Sequence, residues 1–217
     1  MVKKVLKVFI KGILAGFAIS LGGLVFIKTK EYTGNHVLGA YLFATGLILV
    51  CNFDYFLYTG KICYAIENFK VKQDLHYGFQ LLIGYLGNLV GALITALLVK
   101  LTIGLPDFVE GMILSRVNDT WYGLIIKGFF CGILVYLAVE GFKKINNNFG
   151  KYAVLVLCIG GFIVCGFEHS IADAFYFGLS DDILITIVPL LLITLGNTLG
   201  GLILPFINLL YKEKPEN

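Results

Sequence analysis

The chain has 217 residues, of which 58% are hydrophobic and only 14% charged, and its mean hydropathy is +0.87. A soluble domain carries about 25% charged residues, so this composition excludes a soluble enzyme and indicates a single-domain integral membrane protein. The net charge of +3 is small and dispersed, which excludes nucleic acid as a partner. Cys51, Cys63, Cys131, Cys158 and Cys165 all fall in apolar runs without CxxC spacing, favouring free thiols; no metal or other cofactor is expected.

Six apolar segments follow in order: Val5–Ile27, His36–Ile66, Tyr77–Leu101, Trp121–Phe142, Tyr152–Phe177 and Ile183–Tyr211. Each reaches the roughly 20 residues a helix needs to cross a bilayer. The first lacks a small-x-small cleavage site and reads as a span, not a removable leader. Lys3, Lys4, Lys7, Lys11, Lys61, Lys70, Lys72, Lys143, Lys144, Lys151, Lys212 and Lys214 flank one side of these spans. Lys28, Lys30, Lys100, Arg116 and Lys127 flank the other, a ratio of 12 to 5 that predicts cytoplasmic termini in a multi-pass plasma (inner) membrane protein.

The second and fifth segments are long and interrupted. One interruption is expected at Tyr58-Thr59-Gly60-Lys61, the other at Cys165–Asp173. The latter places Glu168, His169 and Asp173 where a membrane helix should be continuous. Ionisable groups inside a bilayer are costly and mark a transport pathway or binding site. Gly166 permits an irregular turn, and Ser170-x-x-Asp173 has capping-box spacing for the helix that restarts, with Asp in place of Glu or Gln.

An internal repeat accompanies the interruptions. Lys11-Gly12-x-x-x-Gly16 and Lys127-Gly128-x-x-x-Gly132 open the first and fourth segments, and Gly87-Asn88-x-x-Gly91 and Gly196-Asn197-x-x-Gly200 lie in the third and sixth. Three spans per half reverse the orientation, so residues 1–101 and 119–211 are expected to be inverted repeats. Interrupted helices at matching places in such repeats point to a transport site near the midplane. Each GxxxG taken alone needs no more than close helix packing.

These residues resemble the formate/nitrite transporter family, whose hydrosulfide channels share the fold. Gly166-Phe167-Glu168-His169-Ser170-Ile171-Ala172 matches its most specific motif. Gly46-Leu47-Ile48-Leu49 with Leu57-Tyr58-Thr59-Gly60 resembles the second helix and its loop, and Tyr85–Ala92 the third. Lys127–Val139 resembles the fourth, and Pro189 with Gly196-Asn197-x-x-Gly200-Gly201 the sixth. The resemblance implies an all-α, aquaporin-like six-helix protomer in a homopentamer, with one pore per protomer. It makes His169 the central pore histidine and Thr59 its hydrogen-bond partner. It assigns Leu47 and Phe162 to a cytoplasmic constriction, Leu57 with Phe162 to the extracellular side, and Arg116 to an anion-attracting vestibule where the family usually has lysine.

Three residues depart from the family pattern: Lys61, Asp173 and Gly132. Lys61 and Asp173 each follow an interruption and are expected to form an ion pair across the pseudo-twofold; alternatively Asp173 caps its helix and Lys61 snorkels. Glu168 either tunes His169 or bonds donors at the interruption or on a neighbouring protomer.

Apolar side chains at the constrictions would obstruct a hydrated anion far more than a small neutral acid. Half-helix N-termini after both interruptions, with Arg116 and Lys61, would draw in a monovalent anion, and desolvation would then favour its protonated form. An imidazole titrating near 6.5 suits exchange of a proton or hydrogen bond with the permeant. The sequence therefore points to a channel or proton-coupled transporter for formate, nitrite, hydrosulfide or a similar anion. A channel for uncharged solutes is the alternative. A membrane acid/base enzyme is weaker, since the stretch lacks a nucleophile and a second histidine.

Overall fold

The computed structural model describes residues 2–68 and 74–211, and all regular structure among them is helical. Lys70, Lys72, Lys212 and Lys214, counted above toward the orientation, lie outside the described residues.

Among the described residues, four helices are long and apolar enough to cross a membrane: α1 (Val2–Thr33), α6 (Asp74–Thr102), α8 (Trp121–Lys144) and α11 (Ile187–Tyr211). They pack as two close pairs, α1 on α6 and α8 on α11. Glycine makes both approaches possible. A Cβ on Gly16 would meet the Asn88 carbonyl oxygen, and one on Gly132 the Asn197 carbonyl oxygen. Backbones this close lie within reach of an asparagine side chain on the facing helix, which the site below uses.

The second apolar segment is divided. Asn35 caps α2 (His36–Leu42) by accepting from the Leu38 amide at 2.9 Å, and α3 (Ala44–Asn52) follows after Phe43. Residues 53–57 leave helical geometry, and α4 (Tyr58–Lys61), a 3₁₀ turn (Ile62–Tyr64) and α5 (Ala65–Asn68) resume it. The interruption thus lies one turn earlier than expected, and Tyr58–Lys61 form the turn after it. Asp54 turns the chain at φ +48°, a left-handed conformation that Asp tolerates better than most residues. Its carboxylate takes Lys11 at 2.6 Å and Lys61 at 3.4 Å.

The fifth segment comprises α9 (Asn148–Val164) and α10 (Ser170–Gly178), separated by five residues that include Gly166 at φ +70°. Every residue of Ser170–Phe177 is buried, so α10 lies in the interior while the four long helices carry exposed leucines outside it. Helix α7 (Phe108–Val117) packs on α10 from the loop before α8. Lys11, Lys61 and Lys143 gather at one end of the molecule. At the other end Lys28 bonds the Gly104 carbonyl and Lys100 bonds Asp181.

Candidate functional site

Two buried asparagines hold the interruptions open. Asn88 Oδ1 accepts the Tyr58 amide at 2.8 Å, and its Nδ2 donates to the Gly12 carbonyl at 2.9 Å and the Phe56 carbonyl at 2.8 Å. Asn197 repeats the pattern: Oδ1 accepts the Ser170 amide at 2.8 Å, and Nδ2 donates to Gly128 at 2.9 Å and Glu168 at 2.8 Å. Buried backbone groups that leave a helix must find partners. Each amide side chain supplies three such bonds.

Between the clamps His169 meets Thr59. The imidazole Nε2 lies 2.8 Å from Thr59 Oγ1, both residues being buried. Nδ1 accepts the Ala172 amide at 3.2 Å, so His169 itself caps α10. An Nδ1 that accepts leaves the ring proton on Nε2, which then donates to Thr59. Sequence reasoning gave the capping role to Ser170. That assignment is corrected: Ser170 Oγ is buried with no hydrogen-bond partner, because the histidine occupies the position from which a side chain reaches the first free amides.

The imidazole borders an apolar chamber of about 10 Å³ lined by Ile19, Phe43, Leu47, Val135, Ile159 and Phe162, about the size of one water. Phe162 stacks on the imidazole at 6.0 Å and meets Phe43 edge-on at 6.1 Å between ring centroids. Beyond the two phenylalanines opens a vestibule of about 310 Å³ whose walls include Lys30, Arg116, Lys127 and Glu168. On the other side a recess of about 100 Å³ is walled by Val50, Leu57, Val139, Phe142, Lys61 and Lys143. Leu47 and Phe162 therefore share the chamber, whereas Leu57 lines the recess on its other side. Lys61 shares that recess, and Phe162 reaches the opposite vestibule.

The charges are paired differently from expectation. Lys61 and Asp173 are not partners: Lys61 turns out to Asp54, and Asp173 accepts from Arg116 Nε at 2.8 Å. Nor does Asp173 cap its helix. Arg116 does stand in the vestibule, but its charge is met by two carboxylates, Glu168 also lying 2.8 Å away. Seven residues of sequence separate Lys61 from Asp54, and a guanidinium fork reaches two carboxylates at once where an ammonium would act as a point charge. The expected positive helix ends also fail in part. Helix α4 is a single turn, and the Ser170, Ala172 and Asp173 amides of α10 are already bonded to Asn197, His169 Nδ1 and the His169 carbonyl.

Phe43, Val135 and Asp54 were missed. Phe43 lies four residues before Leu47, a helical spacing that could have revealed it, whereas no local signal marks Val135.

Apolar helices around a buried polar centre define an all-helical integral membrane protein. Its kinship is specific. The family model described as formate/nitrite transporter matches residues 1–211, and the chain belongs to that family. The formate channel FocA of Escherichia coli (strain K12) is 31% identical over 189 residues, covering 80% of this chain and 66% of FocA. The nitrite transporter NirC of Salmonella typhimurium (strain LT2) is 31% identical over 182 residues, covering 77% of this chain and 67% of NirC. The chain thus spans about two thirds of the length of these curated relatives. A solved FNT family ion channel superposes with a TM-score of 0.84 at 26% identity, covering 96% of this chain and 91% of that one. A pentameric formate channel with formate bound shares the fold, with a TM-score of 0.81 at 24% identity and 96% of both chains covered.

Proposed function

We propose that this chain is a channel for small monovalent anions of weak acids, of the formate, nitrite or hydrosulfide class, which pass the His169 chamber as neutral acids accompanied by a proton. One observation carries the reading: an imidazole N–H, fixed by its own capping bond and presented to Thr59, borders an apolar chamber closed by Phe43, Leu47 and Phe162. A full charge without its water would be far too costly there, and desolvation favours the protonated form. A neutral acid needs only one donor and one acceptor, which Nε2–H and the Thr59 hydroxyl offer when they part. The Arg116 vestibule and the Lys61 recess are the two approaches. Residues 1–101 and 119–211 act as inverted halves around the chamber, the termini face the cytoplasm, and the assembly is a homopentamer with one path per protomer. The relatives named for formate and nitrite, and the solved pentameric formate channel, support these choices.

The test is flux into proteoliposomes loaded with a pH dye, with formate, nitrite and hydrosulfide compared. Anion and proton should enter in equal amounts, and His169→Phe should lower both. Anion entry that carries current and no proton would overturn passage as the acid. Native mass spectrometry should give five copies.

A further inference from the structure

The vestibule carries one carboxyl group more than its bonded cation can balance. Arg116 Nε lies 2.8 Å from Glu168 Oε2 and 2.8 Å from Asp173 Oδ1, Nη2 lies 2.8 Å from the same Glu168 oxygen, and Nη1 donates to the Met112 carbonyl at 2.7 Å. All three guanidinium nitrogens are therefore engaged, and the single Nε–H is shared between the two carboxyl groups. Asp173 is 1% exposed and lines the vestibule, yet its Oδ2 has no hydrogen-bond partner. A buried carboxylate oxygen bearing negative charge and no donor is the costliest state this group could adopt. Sharing one guanidinium with a second carboxylate makes it costlier.

The other groups facing Asp173 do not relieve it. Tyr176, on α10 itself, packs its ring 5.4 Å from the Arg116 Cζ, and the Cys131 thiol of α8 is within electrostatic reach. His169 has both ring nitrogens engaged, with Thr59 and the Ala172 amide. On the vestibule wall stand Lys30, His36 and Lys127, and Lys127 is held by Asp119 at 2.6 Å.

We propose that Asp173 keeps a proton at neutral pH and gives it to the weak-acid anion reaching the vestibule, a step that rests on the reading of passage as the neutral acid. The O–H bond of the Asp173 carboxyl breaks and an O–H or S–H bond forms on the anion. The electron pair stays on the Asp173 carboxylate, which Arg116 holds, and after the acid has left a proton taken up from the outer solution and relayed by vestibule water restores the carboxyl. The His169 ring then only escorts the acid and need not change charge.

Asp173→Asn separates this from a structural role, because an amide has the carboxyl group's shape and keeps an oxygen for Arg116 but has no proton to give. The direct readout is infrared spectroscopy of the full chain in lipid at neutral pH. A protonated carboxylic C=O stretch is expected that shifts on carbon-13 labelling of aspartate and in heavy water, and disappears in Asp173→Asn. Absence of the band in folded wild-type protein, or its survival in Asp173→Asn, overturns the proposal. In proteoliposomes Asp173→Asn should lose about a hundredfold in flux at neutral pH and recover toward wild type in acid, where hydronium from the solution supplies protons; Glu168→Gln should retain the aspartate band. An unchanged pH profile in Asp173→Asn overturns the transfer step. If wild-type flux carries no proton while the band is present, the passage reading and the transfer step both fail and only the proton site stands.

Discussion

The two interruptions share a frame and differ in everything they present. Asn88 and Asn197 make the same three bonds, so Phe56 corresponds to Glu168, Leu57 to His169, Tyr58 to Ser170 and Lys61 to Asp173. Leu57 caps nothing with its side chain, while His169 caps α10 and reaches Thr59. Lys61 turns outward to a largely exposed Asp54, while Asp173 is sealed against Arg116. The lesson is that an asparagine clamp fixes the backbone whatever the interruption carries. One copy could keep its charges at the surface while the other gained buried ionisable groups.

Six substitutions at five positions would sharpen or break this comparison. Asn88→Ala and Asn197→Ala should be the most damaging, and equally so. Each strands two buried backbone groups at its interruption at about 1–3 kcal/mol apiece. Thermal unfolding in detergent measures this, and tolerance at one site alone would end the equivalence. Next, Arg116→Met removes the cation that Glu168 and Asp173 share in the interior and should cost about 3–5 kcal/mol. Lys61→Met, at the corresponding end of the other interruption, should cost under about 1 kcal/mol, because Asp54 is exposed. Equal losses would contradict the asymmetry. Third, His169→Leu removes a cap worth about 1 kcal/mol, which His169→Asn should restore, asparagine being a preferred cap. Both should lower flux about tenfold, the worth of one hydrogen bond. A His169→Asn protein with full flux would assign the histidine to capping alone.

The smallest effect belongs to Asp181, in the loop beyond α10, where the hydrogen bond from Lys100 holds the carboxyl below its usual range. A lowered folded value means the pair stabilises the fold above the unfolded value of about 3.9 and ceases to as pH falls through the lower folded one. Asp181→Asn should therefore melt slightly below wild type at neutral pH and coincide with it in strong acid. A gap that widened in acid would reverse the sign.

The scaffold was legible because its signals are local. Glycine four residues from glycine, asparagine beside glycine, and ionisable residues inside an apolar run each announce a backbone constraint in sequence. The first interruption was expected at Tyr58–Lys61, whereas Asp54 supplies the turn and Tyr58–Lys61 are helical. The cap was misread because serine is the commoner choice, and the histidine's ring nitrogen competes for the same amides. The pairing of Arg116 was invisible. Its partners lie 52 and 57 residues away, joined only when α7 packs on α10, and no spacing rule encodes that meeting.

The Thr59–His169 bond ties the turn after one interruption to the helix after the other, and so it acts as a rivet. The permeant parts the two groups by displacing their side chains, and on the proposed passage rotation of the Phe43 and Phe162 rings is enough to widen the way in. On the proposed passage, opening would be a flicker of side chains rather than a swing of domains. A covalent tether placed between α4 and α10 should leave conduction undiminished.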